Sequence, residues 1–327
     1  MTSSHSPVTV DVRLPDDWAT TALRDDIRRA FTHRPIVLPP AWLYDDTGSD
    51  LFDQITRLAE YYPTEAERAI LTARSDEIVA RTDADVVVEL GSGTSDKTTT
   101  LLDAFARAGR LRSFVPVDVS QATLTQAAGD LAERYPGVDV HAVVGDFTRH
   151  LGALPVGGNR MVVFLGGTIG NFYREERAAF LGALADVLRP GEWLLLGVDL
   201  VKNIDRILDA YDDPEGLTER FITNVLTVLN NQLGADFDLD GFDYAPMWDR
   251  REERVDIRLR SSVPQRVRLA VLDLAVELGE GEEIRVEVST KFRPERLRRE
   301  LGEAGLELVE LWTDPNHDFG LGLAQRR

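Results

Sequence analysis

Short apolar runs alternate with helix-like segments in the middle of the chain. Five runs predict strands, at 86–88, 111–118, 141–144, 160–165 and 192–200. The segments between them have the spacing of amphipathic helices, near 96–108, 120–134 and 173–188. This alternation is typical of a parallel, doubly wound α/β sheet, whose ligands bind beyond the carboxyl ends of the strands.

The segments on either side of this region follow other patterns. Residues 18–31 have helical spacing, and a second helix is expected from near Ser49. Thr64 and Glu67 have the spacing of a capping box for a helix that ends near Arg81. Further helices are expected over 203–234 and 294–304, antiparallel strands within 243–286, and returning strands at 306–312 and 319–324.

These patterns predict a doubly wound α/β core and a second α+β domain that binds the substrate. The second domain is expected to combine residues 1–60 with an insertion at 201–286. The core is expected to comprise residues 61–200, with 287–327 returning to it. Such an arrangement places the substrate domain on both sides of the core in the sequence.

The most informative motif begins with the first predicted strand of the core. Val86 to Thr98 reads VVVELGSGTSDKT, a buried strand that passes through a glycine turn into a helix. A phosphate-binding P-loop and a dinucleotide-binding turn both need a further glycine where this chain has Asp96, whose charge would repel phosphate. The remaining pattern, Glu89 to Gly93, resembles the first motif of S-adenosylmethionine-dependent methyltransferases, whose cofactor carries a sulfonium cation. A tight turn without a ligand is the alternative.

Other strand ends carry side chains that can bind a nucleoside. Asp118 can accept both ribose hydroxyl protons or cap the following helix. Asp146 and Phe147 can contact an adenine amino group and ring, or form a turn and a helix cap. The segment 164–171 has three glycines within five residues, which indicates close backbone approach to a ligand or a flexible turn. Its last residue, Asn171, offers both a donor and acceptors.

Composition narrows the classes of ligand. The 327 residues carry a formal net charge of -19 and no long basic run, so a nucleic acid or an anionic membrane would be repelled. The chain has no cysteine, and its five histidines lack metal-binding spacing, so we expect neither a disulfide nor a metal site. No apolar run approaches the roughly 18 residues of a membrane span. We expect a cytoplasmic, monomeric protein with a small neutral or cationic ligand.

Further motifs extend over nearly the whole chain. They are WLYDDTGSDLF at 42–52, EYYPT at 60–64, ELGSGTSDKT at 89–98, FLGGTIGN at 164–171, ADFDLDGF at 235–242, and WTDP with DF at 312–315 and 318–319. In this order they resemble the histidine-specific methyltransferases of ergothioneine biosynthesis. No phosphate-binding family shares this set.

The resemblance implies a Rossmann-like methyltransferase core and a specific reaction. In that family, three methyl groups pass from S-adenosylmethionine to the α-amino group of L-histidine, without a metal, and the product is hercynine. The residues of this chain that match the family's cofactor site are Gly91, Lys97, Asp118, Asp146 and Phe147.

The resemblance also implies a substrate site. Asn171 and Tyr211 match the residues that bind the substrate carboxylate. Tyr44 and Tyr61 match aromatic residues that line the amino and imidazole sides. Tyr44 is in addition the candidate catalytic residue, because a hydroxyl beside the amine can relay the proton that the amine must lose before it attacks.

Glu287 and Ser289 match the family's imidazole ligands. In a strand both point to one face, opposite Val286 and Val288, so a carboxylate and a hydroxyl can each contact one ring nitrogen. The same alternation is also typical of a solvated strand face. Near Ile257 the family commonly has a methionine that lines the ring pocket, and the stiffer isoleucine leaves another aromatic amino acid open as the substrate.

Two other classes of function remain open at this point. A nicotinamide-dependent dehydrogenase would share the doubly wound sheet, although Asp96 opposes its phosphate groups. A cofactor-binding protein without turnover would carry the same glycine turn. Calorimetry with NAD and with S-adenosylmethionine separates the first of these from a methyltransferase.

Overall fold

The computed structural model describes residues 8–327, and the chain forms two compact units. Among the described residues, the first unit contains 8–15, 65–200 and 292–327. The second unit contains residues 16–64 and 201–291. Among the described residues, no helix is long and apolar enough to cross a bilayer.

An eight-stranded sheet forms the centre of the first unit. Six neighbouring strands are parallel, and two antiparallel strands complete one edge. In spatial order the strands are β1 (Val8–Val12), β5 (Asp139–Val144), β4 (Ser113–Asp118), β3 (Val86–Leu90), β6 (Arg160–Phe164), β7 (Trp193–Asp199), β14 (Phe319–Arg326) and β13 (Leu306–Thr313).

Helices cover both faces of this sheet. As a result β3, β6 and β7 are buried along their whole length, which explains why their sequences are continuous apolar runs rather than alternating ones. The helices are α3 (Pro63–Arg81), α4 (Thr99–Arg107), α5 (Gln121–Arg134), α6 (Arg174–Val187) and α9 (Pro294–Glu303).

The order of the strands reverses beside β3. This strand pairs with β4 on one side and with β6 on the other, so the connections that follow β3 and β6 lead away in different directions. A reversal of this kind leaves a crevice at the carboxyl ends of the strands, where doubly wound proteins bind ligands. The two glycine-rich segments, 91–98 and 166–171, follow these two strands.

The second unit packs helices against a four-stranded sheet, and its core is a separate apolar cluster. In spatial order the strands are β2 (Ile36–Val37), β12 (Glu283–Thr290), β9 (Arg254–Ser261) and β8 (Phe242–Asp249), and a hairpin joins β10 (Gln265–Leu269) to β11 (Leu274–Leu278). The helices are α1 (Trp18–Thr32), α2 (Asp46–Ile55), α7 (Ile204–Asp209) and α8 (Leu217–Leu233).

The doubly wound α/β core is confirmed, and its predicted strands and helices are present with ends shifted by a few residues. The antiparallel strands expected within 243–286 are also present. The helical structure expected over 203–234 is present as two helices, α7 and α8, which are separated by a short break. Between them Pro214 has no N–H to donate, and Gly216 adopts a left-handed φ of +65°.

Apart from residues 61–64, which belong to the second unit instead of the core, the division of the chain differs from the expected one in two places. Residues 8–12 form β1, which pairs with β5, so this segment extends the core sheet instead of joining the second domain. Residues 287–291 remain in the second unit instead of returning to the core, because β12 continues to Thr290 beside β9. In both places strand pairing, which is a long-range contact, decides where the segment belongs.

A buried ion pair joins the starts of β6 and β7. The side chains of Arg160 and Glu192 are 2% and 3% exposed, with Nε to Oε1 at 3.0 Å and Nη2 to Oε2 at 2.7 Å. Burial alone would raise the pKa of Glu192, but hydrogen bonds from Arg160 and Arg189 outweigh it and lower the pKa to about 2. The native carboxylate therefore stabilises the fold at pH values above 4.5, the ordinary pKa of a glutamate, and this contribution is lost as the pH falls toward 2.

We expect Glu192→Ala to lower the free energy of unfolding by about 3–5 kcal/mol at pH 7, because the buried guanidinium loses its carboxylate. Asp53→Ala is the control: it removes the partner of the exposed Arg57 and should cost less than about 1 kcal/mol. Urea unfolding measures both. The difference between the native chain and Glu192→Ala should narrow below pH 4.5. Equal losses in the two variants would contradict a stabilising role for the buried pair.

Candidate active site

The glycine turn after β3 has a left-handed backbone. Gly91 and Gly93 have φ of +65° and +49°, which residues with a Cβ rarely adopt. The N–H of Gly91 donates to the carbonyl of Val117 at 2.8 Å, which ties the turn to the end of β4. A Cβ at Gly91 would lie 3.4 Å from the ring of Phe147, whereas one at Gly93 would meet no atom within 4 Å. The turn therefore leaves open space beside Gly93.

The carboxyl group of Glu89 turns back into this loop. Glu89 is 5% exposed, and it accepts hydrogen bonds from the hydroxyls of Ser95, at 2.7 Å, and Thr98. Burial raises the pKa of Glu89 to about 7. Glu89 thus stabilises the turn from inside, and the accessible negative charge of this region is carried by the exposed Asp96 and the half-buried Asp118.

Asp118 connects the end of β4 to the glycine turn. Its carboxylate accepts the N–H groups of Gly93 and Ser120, both at 3.0 Å. Each oxygen keeps a further lone pair that can accept a hydroxyl proton. The N-cap of α5 is Ser120, not Asp118, so of the two sequence interpretations the helix cap is wrong.

Asp146 and Phe147 lie in the turn after β5. The carboxylate of Asp146 accepts from the backbone N–H of Thr148 at 2.8 Å and from its hydroxyl at 2.6 Å, which is the local turn that the sequence also allowed. The ring of Phe147 packs edge-on against Phe164, with centroids 5.3 Å apart, and approaches Gly91 on another side. Phe147 is therefore held in a defined position beside the glycine turn.

A buried carboxylate, that of Glu67, lies at the ends of β3 and β6. Glu67, on α3, is fully buried and accepts the N–H of Gly166 at 2.9 and 3.0 Å through its two oxygens. Lys97 donates to the same carboxylate at 2.7 Å. Gly166, the first residue of the second glycine-rich segment, has a φ of +77°. One carboxylate thus connects a helix to both glycine-rich segments.

The capping box expected between Thr64 and Glu67 is wrong. The helix already begins at Pro63, and the side chain of Glu67 points to Gly166 and Lys97 instead of capping a helix end. A signal was present in the sequence: Glu67 precedes the buried Ile70 and Leu71 by three and four residues, so it lies on the apolar stripe of its own helix. An acid on such a stripe needs a buried partner.

The residues around the glycine turn fit S-adenosylmethionine. The buried hydroxyl of Ser92 has no hydrogen-bond partner among residues 8–327, so it is available to a ligand. Three further features lie at the same turn: the open space beside Gly93, the acceptor lone pairs of Asp118 and the aromatic ring of Phe147. Within the described part of the chain, no group of three or more His, Cys, Asp or Glu residues could hold a metal ion.

Most of the predicted substrate residues lie in the second unit. There Tyr211 and Ser289 are 8% and 7% exposed, and the hydroxyl of Tyr211 donates to that of Ser289 at 2.8 Å. Lys291, which no sequence argument singled out, is fully buried and donates to Tyr211 at 2.7 Å and to Ser289 at 2.8 Å. Asn171 lies in the first unit, at the end of the 3-10 turn after β6.

An aromatic cluster in the second unit contains Tyr44 and Tyr61. The rings of Tyr61 and Tyr211 have centroids 6.4 Å apart, and Tyr44 makes an edge contact with Phe221 at 5.3 Å. Although Tyr44 is 41% exposed, desolvation of its phenol, reinforced by the Glu287 carboxylate, raises its pKa well above the ordinary value of 10. At neutral pH this phenol is protonated and can donate a hydrogen bond.

The register of β12 brings Glu287 and Ile257 side by side. Glu287 is the strand partner of Ile257, and Ser289 is the partner of Val255, so all four share one face. Ile257 is fully buried, Ser289 is nearly so and Glu287 is half-buried, so this face is largely shielded from solvent. A bulge between Arg285 and Glu287 interrupts the strict alternation that the sequence predicted.

A substitution at Gly197 can test the role of Glu67. A Cβ at this position of β7 would lie 2.2 Å from Oε1 of Glu67 and 3.3 Å from the ring of Phe319. We expect Gly197→Ala to lower the free energy of unfolding by about 1–3 kcal/mol and to weaken S-adenosylmethionine binding, because Glu67 must move away from Gly166 and Lys97.

The control for this prediction is Gly182→Ala. A Cβ at Gly182, inside α6, would meet no atom within 4 Å, so this variant should be as stable as the native chain or more stable by up to about 1 kcal/mol. Urea unfolding and calorimetry with S-adenosylmethionine measure both variants. Native stability and cofactor affinity in Gly197→Ala would refute the proposed dependence on Glu67.

Comparisons with known proteins agree with this geometry. The histidine N-alpha-methyltransferase of Mycolicibacterium smegmatis is 54% identical over 313 residues, which cover 96% of this chain and 98% of that protein. The protein of the same name from Mycobacterium tuberculosis is 51% identical, over 98% and 99% of the two chains. Ergothioneine biosynthesis protein 1 of Neurospora crassa is 32% identical over 88% of this chain but only 33% of its own length.

The family model described as histidine-specific methyltransferase, S-adenosylmethionine-dependent, matches residues 23–326. The methyl donor inferred from the glycine turn is therefore confirmed, and the nicotinamide-dependent dehydrogenase is excluded. The family consists of methyltransferases, so a cofactor-binding protein without turnover is also excluded. With the match spanning nearly the whole chain, this protein belongs to the family of histidine-specific, S-adenosylmethionine-dependent methyltransferases.

Proposed function

We propose that this protein transfers three methyl groups from S-adenosylmethionine to the α-amino group of L-histidine, forming hercynine for ergothioneine biosynthesis. The observation that carries the proposal is that the half-buried Glu287 and the buried Ser289 lie on one face of β12, within a chain of the histidine-specific family. A carboxylate accepts one hydrogen bond from imidazole, and a hydroxyl donates one to it. A neutral imidazole ring offers one group of each kind.

The first unit supplies the proposed cofactor site. When bound, S-adenosylmethionine supplies a methyl group that its sulfonium makes electrophilic. Asp118 would accept from the ribose hydroxyls through its remaining lone pairs, while Asp146 and Phe147 would contact the adenine. Gly91 would allow close approach of the backbone. Lys97 would contact the amino acid end, with Glu67 determining where its ammonium lies.

The second unit supplies most of the proposed substrate site. Tyr211 would hold the substrate carboxylate, and Tyr61 would line the ring. Asn171, which belongs to the first unit, matches a further carboxylate-binding residue of the family. Ile257 would form a wall of the ring pocket beside Glu287. Because carboxylate and ring are held at opposite ends, the amine can rotate between successive transfers, which is our explanation for three methylations at one site.

Tyr44 is the proposed catalytic residue at the amine. Its raised pKa keeps the phenol protonated at neutral pH, so Tyr44 cannot serve as an anionic base. It can accept a hydrogen bond from the amine and pass a proton on to water in the same step. Tyrosine rings near the nitrogen also stabilise the positive charge that develops there.

We further propose that the enzyme is a monomer in the cytoplasm. One chain contains both the residues that match the cofactor site and those that match the substrate site, so neither site needs a second copy. A small amino acid substrate and a soluble methyl donor are both cytoplasmic metabolites. Light scattering of the purified chain, and fractionation of cells that express it, test the two parts.

A substrate panel tests the reaction. With S-adenosylmethionine and each of histidine, tryptophan, tyrosine and phenylalanine in separate assays, we expect mass gains of one, two and three methyl groups on histidine only. Ile257→Met, measured in parallel, tests whether the isoleucine alters the preference among these rings. Efficient methylation of another amino acid with none on histidine would refute the proposal.

Glu287→Ala tests the ring contact. Loss of a carboxylate that accepts a ring N–H should weaken histidine binding by roughly 10- to 100-fold. Binding of S-adenosylmethionine should change by less than about threefold, since no cofactor contact is assigned to this residue. Glu283→Ala is the control: this acid lies on the same strand but pairs with Arg258 and Arg260. Calorimetry that finds equal losses for histidine and cofactor would contradict the assignment.

A further inference from the structure

Lys291 closes a triangle of polar atoms inside the second unit. It follows β12 directly and is fully buried. Its ammonium lies 2.7 Å from the hydroxyl of Tyr211 and 2.8 Å from that of Ser289, and these two hydroxyls are 2.8 Å apart. The backbone N–H of Lys291 donates to the carbonyl of Glu253 at 2.7 Å, which fixes the start of the side chain.

The hydrogens of this triangle can be counted. An ammonium group has three donors and no lone pair, so it occupies a lone pair on each hydroxyl that it contacts. The hydroxyl of Tyr211 gives its proton to Ser289. Both lone pairs of Ser289 are then occupied, one by Lys291 and one by Tyr211, so the proton of Ser289 must point to another acceptor.

From this arrangement we infer that Lys291 is a positioning residue, which makes the hydroxyls of Tyr211 and Ser289 hydrogen-bond donors to the substrate. The inference rests on the proposed function, which assigns these two hydroxyls to the carboxylate and the ring. Both groups offer acceptors: carboxylate oxygens at one end and the lone pair of a ring nitrogen at the other. Glu287, which can only accept when ionised, completes the set at the remaining ring N–H.

The ammonium has two effects on the hydroxyls. It occupies one of the two lone pairs of each hydroxyl, which leaves each oxygen less able to accept from the ligand and favours donation. It also polarises both O–H bonds at short range in a buried site, and charge-assisted hydrogen bonds are stronger than neutral ones. When the substrate enters, the proton that Tyr211 gives to Ser289 can turn to the carboxylate, while the Lys291 contacts keep both oxygens in place.

The control lysine is also bonded to a tyrosine. Lys202, in the same unit, donates to the hydroxyl of Tyr62 at 2.6 Å and lies 4.1 Å from the centre of its ring. Lys291 lies 4.7 Å from the ring of Tyr211. The two residues therefore both contact a tyrosine through its hydroxyl and its ring, and the contacts of Lys291 are to hydroxyls that are assigned to the substrate.

Steady-state kinetics on the full chain tests the inference. Lys291→Met keeps a long apolar side chain but has no donor, and it should raise the KM for histidine roughly 10-fold or more. The KM for S-adenosylmethionine and the kcat should change less than about threefold, since the residue acts on substrate binding. Lys202→Met should leave the KM for histidine within about twofold, as expected for a site outside the substrate contacts.

A double-mutant cycle separates positioning from a structural role. If Lys291 acts partly through Ser289, then Lys291→Met should cost markedly less in a Ser289→Ala background than in the native one. Lys291→Gln retains two N–H donors and should give an intermediate KM. This variant, taken through the same cycle, carries the test if Lys291→Met does not fold.

The outcomes distinguish this inference from the proposed function. An unchanged KM in a Lys291→Met enzyme that methylates histidine would overturn the inference alone, and so would additive losses in the cycle. The same rise in the KM for histidine in Lys202→Met would also overturn it, because the effect would then not be specific to Lys291. If the native enzyme does not methylate histidine, the proposed function fails and the inference fails with it.

Discussion

The buried carboxylate of Glu67 is the interaction on which the cofactor side of this protein depends. A carboxylate with no exposure is unfavourable unless hydrogen bonds and an opposite charge compensate it. Here the N–H of Gly166 and the ammonium of Lys97 provide both. Since these partners belong to different glycine-rich segments, the position of α3 determines where each segment lies. Gly197 must lack a side chain for the same reason.

The second unit contains a buried cation, which also needs hydrogen-bond partners. Lys291 has no exposure, and its donors contact two hydroxyls that the family resemblance assigns to the substrate. A buried charge that is bonded to neutral hydroxyls orients them more strongly than neutral neighbours would. The bulge after Arg285 has a related effect, because it adjusts the register so that Glu287 lies opposite Ile257. Charge and register together define the chemistry of this strand.

In the proposed function, the cofactor contacts belong to one unit and most of the substrate contacts to the other. Turn geometry, acceptors and an aromatic ring in the first unit suit a nucleoside, while hydroxyls, a carboxylate and tyrosine rings in the second suit a polar amino acid. Neither set requires a metal or a covalent intermediate, because displacement at a sulfonium methyl group depends mainly on positioning. The raised pKa of Tyr44 agrees with this, since it makes this residue of the proposed substrate site a neutral donor and not a strong base.

The sequence by itself determined the doubly wound core, the glycine turn and the methyl donor. Strand runs, turn glycines and the charge of Asp96 act over a few residues, so they can be interpreted locally. The family resemblance added the residues expected to contact histidine. Only the tertiary structure decided the partners of Glu67, which lie up to 99 residues away, and the contact between Tyr211 and Ser289, which are 78 residues apart. Such contacts depend on how distant segments pack, and no local pattern records that packing.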